Sequence, residues 1–109
     1  MENIQWEIHD EKNWIVFVIG GRLDRLNAEE TGRQGDELLA AHDKLALDLS
    51  GLEYISSAGL RILLRLAKGA QAQGKSFVLC GAVGFVREVL EDSNMDVLVD
   101  MYGSVDQLP

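Results

Sequence analysis

Every second position is apolar at the start of the chain: Ile4, Trp6 and Ile8 alternate with polar neighbours, the period of a half-buried strand. "DEKN" supplies a turn. Trp14 to Ile19 is a mostly apolar, β-branched run that predicts a second strand, ended by Gly20 and Gly21. The period then changes. "NAEETGRQGDELLAAH" predicts a helix with Asn27 as its cap and Glu30 at capping-box spacing. Gly32 and Gly35 each cost such a helix about 1 kcal/mol relative to alanine. With only Ala28, Leu38 and Leu39 as apolar positions, it is expected to lie shallowly at the edge of the core.

"KLALDLS" reads as a third strand. From Leu60 onward, Leu60, Leu63, Leu64, Ala67 and Gln71 recur at helical spacing. Arg61, Arg65 and Lys68 share a face away from that stripe, and Gly74 is placed to end the helix. "KSFVLC" predicts a further strand. "GAVGFVREVLEDSN" predicts a third helix with Val83, Val86, Val89 and Leu90 on one side. "MDVLVDMYGSVDQL" holds another short apolar piece and a terminal helical turn. The order β-β-α-β-α-β-α places the chain in the α/β class, with a mostly parallel sheet and a mixed edge made by the opening strand pair.

Composition narrows the function classes. A chain of 109 residues, 47% of them hydrophobic, suits one domain spanning 1–109 around one core. The formal charge of −8 argues against nucleic acid and against an anionic membrane surface, and it is compatible with a basic protein partner or with a merely solubilising surface. The single cysteine, Cys80, makes no internal disulfide and reads as a small buried hydrophobe. The acidic N-terminus is not that of a signal peptide, and no apolar run approaches the ~20 residues that span a bilayer. A cytoplasmic protein is expected.

Three stretches carry candidate chemistry. "GAQAQGKS", Gly69 to Ser76, fits the phosphate-cradling pattern G-x-x-x-x-G-K-[ST]. That cradle needs a strand before it and a helix after it, and here a helix runs in and a strand runs out. The histidines, His9 and His42, read as surface or turn residues, and the carboxylates lack metal-ligand spacing, so neither metal nor cofactor is expected. "SSAG" is the third stretch, at a strand-to-helix transition. One serine there caps the helix that follows. The same helix start offers unsatisfied N–H groups and a positive dipole end, which accommodate an added phosphoryl group. Cap and modification site both remain open for Ser56 and Ser57 on this local evidence.

At these residues the sequence resembles the STAS-domain family, the fold of bacterial anti-sigma factor antagonists, over nearly its whole length. "GGRLDRLNAEE" is similar to the family's G-x-L-D stretch through Gly21, Leu23 and Asp24. "LALDLSGLEYISSAGLRILL" is similar to its central signature through Asp48, Ser50, Ser56, Ser57, Gly59 and Leu60. "GFVREVLEDSNMDVLVDMYGSVDQ" resembles its C-terminal stretch. The resemblance implies a STAS fold, with a mixed, mostly parallel sheet of four to five strands flanked by helices. It also implies a partner-switching module that is no enzyme. The unphosphorylated form binds an anti-sigma factor that is also a serine kinase of the histidine-kinase-like ATPase fold. Phosphorylation of a serine at the helix start releases it, and a metal-dependent serine phosphatase reverses the mark.

Many members carry an aspartate, then serine, then serine or threonine, then glycine. Here Ser56 stands in the aspartate's place and Ala58 in that of the second hydroxyl residue. Ser57, two before the glycine, is therefore the expected phosphoacceptor, with Ser56 in reserve. Asp24, Asn27, Ser56, Ala58, Gly59 and Arg61 are expected to form the partner-binding face. Two rival readings stand beside this one. The first is a non-switching STAS subunit of a larger assembly, such as a lipid-transport complex, whose serine is only a cap. The second is a nucleotide-binding protein using Gly69 to Ser76.

Overall fold

The structure, a computed structural model, describes residues 3–109. Two strands, β1 (Ile4–Glu11) and β2 (Trp14–Leu23), form an antiparallel hairpin paired from Ile4 opposite Gly21 to Glu11 opposite Trp14. Its turn is tighter than "DEKN" suggested. Only Lys12 and Asn13 lie between the strands, with φ of 52° and 73°, the backbone of a two-residue hairpin loop whose twist matches the strands. β2 also does not stop at Gly20; both glycines lie within it, and it runs on to Leu23.

The remaining elements are α1 (Ala28–Ala41), β3 (Lys44–Asp48), β4 (Leu52–Ile55), α2 (Ser57–Ala72), β5 (Ser76–Cys80), α3 (Gly84–Asp92), α4 (Met95–Leu98) and β6 (Met101–Tyr102), closed by a 3-10 turn at Val105–Gln107. Among the described residues the sheet has six strands rather than four or five, in the order β1-β2-β3-β5-β6, with β4 also paired to β2. β3 and β4 pair parallel with successive parts of β2, Ile15 to Val18 and Gly21 to Leu23. The strand expected to run into "SSAG" is β4, a strand separate from "KLALDLS", and the order β-β-α-β-α-β-α did not count it apart because "LEYI" lacks alternation. Its register shifts where β2 passes from Gly21 to Arg22, which leaves Glu53 unpaired and lets Leu52 and Ile55 both reach the core three residues apart.

One face of the sheet carries nearly all the apolar mass. Ile15, Phe17 and Ile19 of β2, Leu45 and Leu47 of β3, and Phe77 and Leu79 of β5 form one core with Leu39 of α1, Leu63 and Leu66 of α2, Leu90 of α3 and Met95 of α4. The intervening strand residues Trp14, Val16, Ala46, Val78 and Cys80 face the other way, under Leu108 and Val105 of the C-terminal segment. Lys12 and Trp14 tie that segment down. The Lys12 Nζ donates to the Asp106 carbonyl at 2.7 Å, and the Trp14 Nε1–H donates to the Pro109 carbonyl at 3.1 Å.

Three helical details depart from expectation. The stripe buried by α2 is Gly59, Leu63, Leu66, Ala67 and Ala70, so Leu66 and Ala70 take the places expected of Leu64 and Gln71. Val83 of the third helix is 59% exposed and stands at its N-cap, while Val86 and Leu90 are buried. α1 is no shallow edge helix: Thr31, Gly32 and Gly35 are buried with Ala28 and Leu39, and its glycines let α2 approach closely. As expected, α2 ends at Gly74, where φ is +68°. The N–H groups of Gly74 and Lys75 donate back to the carbonyls of Gln71 and Ala70 at 3.1 and 2.9 Å, a Schellman closure.

Candidate functional site

The parallel strands all end at one edge of the sheet, where ligands of open α/β sheets are taken up. The β2 and β4 ends meet there, because the Ser56 N–H donates to the Leu23 carbonyl at 2.9 Å. Ser56 is extended, with φ −89° and ψ 174°, and is the N-cap of α2. Its Oγ accepts from the Gly59 N–H at 3.2 Å, and its carbonyl accepts from the Leu60 N–H at 2.9 Å. One of the two serines is therefore occupied as a cap, and it is half-buried.

Ser57 is the first residue of α2 and is exposed. Its hydroxyl has no hydrogen-bond partner among the described residues. The first turn of α2 contains no acidic residue, so the positive end of the helix dipole stands uncompensated beside it. Gly59 explains how the helix start comes so close to β2. A Cβ at this position would lie 2.8 Å from the Leu23 Cγ and 2.9 Å from the Leu23 carbonyl oxygen.

Asp24 and Asn27 do flank this edge, following directly on Leu23, and their side chains are spent on the loop itself. The Asp24 N–H donates to the Asn27 Oδ1 at 3.0 Å, and the Leu26 N–H donates to the Asp24 Oδ1 at 3.0 Å. The Asn27 Nδ2–H donates to the Arg22 carbonyl at 2.9 Å. Asn27 sits at the N-cap of α1 without a side-chain cap bond, and no capping box forms: the Glu30 carboxylate instead receives Arg33 and Gln34. Those bonds, the Arg33 guanidinium first, hold the Glu30 carboxyl below the usual carboxylate range. The loop pushes Leu26 outward to 79% exposure.

Ala58 and Arg61 line a groove between the starts of α1 and α2, with Arg25, Glu29 and Arg65. Arg25 and Leu26 carried no signal in the sequence, because nothing in a loop's composition says which residues it turns outward. A second missed feature is a stacked slab. The Arg22 guanidinium lies 4.2 Å from the centre of the Tyr54 ring, and Tyr54 stacks on Phe85 at 5.6 Å between centroids and 3° between planes. The three come from β2, β4 and α3, so only the tertiary fold brings them together.

Asp48 and Ser50 of the resembling signature shape the neighbouring loop. The Asp48 Oδ1 accepts from the Ser50 N–H at 3.0 Å. Next to them Cys80 is buried; burial first, and the Asp48 carboxylate second, push its thiol up to about 11. Gly69 to Ser76 lies at the other end of the sheet. Gly69 to Ala72 finish α2, the Lys75 Nζ donates to the Leu39 carbonyl, and Ser76 opens β5. No strand leads into this turn and no helix leaves it, so it lacks the form of a phosphate cradle. His9 is exposed on β1 and His42 follows α1 as its C-cap, remote from the serines.

Comparison with known proteins gives three kinds of likeness. The family model described as "Mlab, STAS domain" matches residues 8–100. BtrV of Bordetella bronchiseptica, which carries the provisional name of an anti-sigma factor antagonist, is 40% identical over 83 residues, 72% of this chain and 69% of that protein. Among solved structures, an anti-sigma factor antagonist from Mycobacterium paratuberculosis superposes with a TM-score of 0.86 at 21% identity, over 94% of this chain and 88% of that one. The Bacillus anti-sigma factor antagonist SpoIIAA shares the fold in its unphosphorylated and phosphorylated forms. The TM-scores are 0.64 and 0.70 at 17% and 15% identity, covering 87% and 89% of this chain and 96% and 90% of those chains.

Proposed function

The chain belongs to the STAS-domain family, and we propose that it is an anti-sigma factor antagonist switched by phosphorylation of Ser57. One observation carries this reading. Of the two serines at the start of α2, Ser56 is occupied in capping, while Ser57 presents a free, exposed hydroxyl. The name of the Bordetella relative supports the antagonist role. The existence of a phosphorylated SpoIIAA supports the idea that this fold tolerates the modification.

The physics of the switch follows from the helix start. A phosphoryl group adds about −1.5 to −2 charges. Placed at a helix N-terminus it gains typically 0.3–1 kcal/mol, so the domain stays folded. A partner covering the same edge meets a charge that must be desolvated or repelled. A loss of about 3 kcal/mol in binding lowers affinity roughly a hundredfold. The protein works in this reading by binding in the cytoplasm rather than by catalysis. Its partners are an anti-sigma factor with serine-kinase activity of the histidine-kinase-like ATPase fold and a metal-dependent serine phosphatase. The face they contact holds Asp24, Asn27, Ser56, Ala58, Gly59 and Arg61.

Incubation with the cognate kinase and magnesium ATP, followed by fragment mass spectrometry, tests the reading. The expected result is one phosphoryl group on Ser57, absent from Ser57→Ala. Modification at neither Ser56 nor Ser57 would overturn it. A non-switching subunit of a larger assembly is the second reading, favoured by the purely structural use of Ser56. It requires that Ser57→Ala and Ser57→Asp both bind the partner as the parent does.

A further inference from the structure

From Tyr54 to Val86 the chain contains no aspartate or glutamate, although its formal charge is −8. The charged side chains of α2 are therefore all cationic: Arg61, Arg65 and Lys68. Arg65 has a partner across the helix pair, its Nη2 standing 2.8 Å from the Asp36 Oδ2 of α1. Arg61 has no carboxylate within ion-pair distance among the described residues, and neither has Arg25. Both line the groove that also holds Ala58, the residue after Ser57.

We propose that Arg61 and Arg25 form an internal binding site for a phosphate monoester, the one carried on Ser57 of the same chain. The inference rests on the reading of Ser57 as phosphoacceptor. Ser57 is four residues before Arg61, so the two side chains share a helix face one turn apart. A guanidinium fork matches phosphate oxygens in pairs and binds them more strongly than neutral donors do. Arg25 enters the same groove from the loop between β2 and α1. Three of the other charges near the site are engaged: Asp24 accepts from the Leu26 N–H, Arg22 lies on the Tyr54 ring, and Arg65 is held by Asp36. Glu29 also lines the groove and is the one carboxylate there among the described residues, so it opposes the two arginines in attracting an anion. Arg25 and Arg61, without a carboxylate at ion-pair distance among the described residues, thus outnumber Glu29 at the groove until the phosphate arrives. Capturing it also withdraws both guanidiniums from any partner, so the mark subtracts attraction as well as adding repulsion.

The test places phosphoserine at position 57 during translation, without any kinase, and follows the intact protein by ³¹P NMR across pH. The ordinary second pKa of a phosphoserine is about 6. The parent is expected to titrate below this, and Arg61→Gln combined with Arg25→Gln to raise the midpoint by roughly half to one pH unit, as loss of neighbouring opposite charge requires. The dipole of α2 acts equally in both proteins, so the difference isolates the arginines. Phosphorylation should also raise the melting temperature of the parent more than that of the double variant. Equal ³¹P midpoints in parent and double variant would overturn the site. That outcome leaves the partner switch untouched, whereas a kinase that ignores Ser57 would sink the switch and leave this measurement standing.

Discussion

At the scale of single residues, the account turns on a division of labour between two adjacent serines. Ser56 accepts from the Gly59 N–H, so Ser56→Ala should destabilise the domain by about 1 kcal/mol, the usual loss for an N-cap hydroxyl. Ser57 makes no such bond, and Ser57→Ala should leave stability within about 0.5 kcal/mol of the parent. Urea unfolding of both variants checks the pair; equal losses would contradict the assignment. The sequence showed that a serine at this place caps and that a serine is open to modification, but two neighbouring hydroxyls satisfy either role until the Ser56 backbone is seen extended toward Leu23. Cys80 offers a second check. Its thiol, held up to about 11 by burial and then by Asp48, should resist alkylation near pH 8 in the folded protein and react promptly in urea. Because the folded thiol holds its proton more tightly than the unfolded one, its contribution is complete below the ordinary thiol range. It is lost as pH climbs from there toward 11. The melting temperature of Cys80→Ala should therefore fall less steeply over that interval than the parent's.

At the scale of elements, glycines decide how closely the helices and strands approach. A Cβ at Gly35 would stand 2.8 Å from the Leu66 Cδ1, in a side chain that is only 1% exposed. Gly35→Ala gains about 1 kcal/mol of helix propensity and incurs an overpacking penalty of about 1–3 kcal/mol, so a net loss of stability is expected. Gly59→Ala should lose more, about 2–3 kcal/mol, because its methyl meets the Leu23 backbone as well as a side chain. Thermal melts rank the two; a stabilised Gly35→Ala would show that α1 and α2 can part without cost. Gly32 and Gly35 misled the reading of α1 from sequence. Intrinsic propensity counts them as weak points, and only the packed partner reveals that they are contact points. The strands of β1, β2, β3 and β5 were legible through alternation or apolar runs. β4 was not legible as a strand distinct from β3, because its bulge at Glu53 breaks the period that would mark it out.

At the scale of the whole molecule, the strand-helix order was enough to anticipate a mostly parallel sheet. It did not reveal that α1, α2, α3 and α4 share one core on one face, or that Leu108 and Val105 cover the other. A tail of "SVDQLP" has no periodicity to read. Ser57 stands at the start of a helix whose charged side chains are all positive. A phosphate added at that helix start is expected to change the surface and not the fold. The direct test is calorimetric titration of the cognate anti-sigma factor with the unmodified protein and with the protein carrying phosphoserine at position 57. The account predicts a loss of affinity of about a hundredfold with unchanged circular dichroism. Equal affinities for the two forms would contradict it.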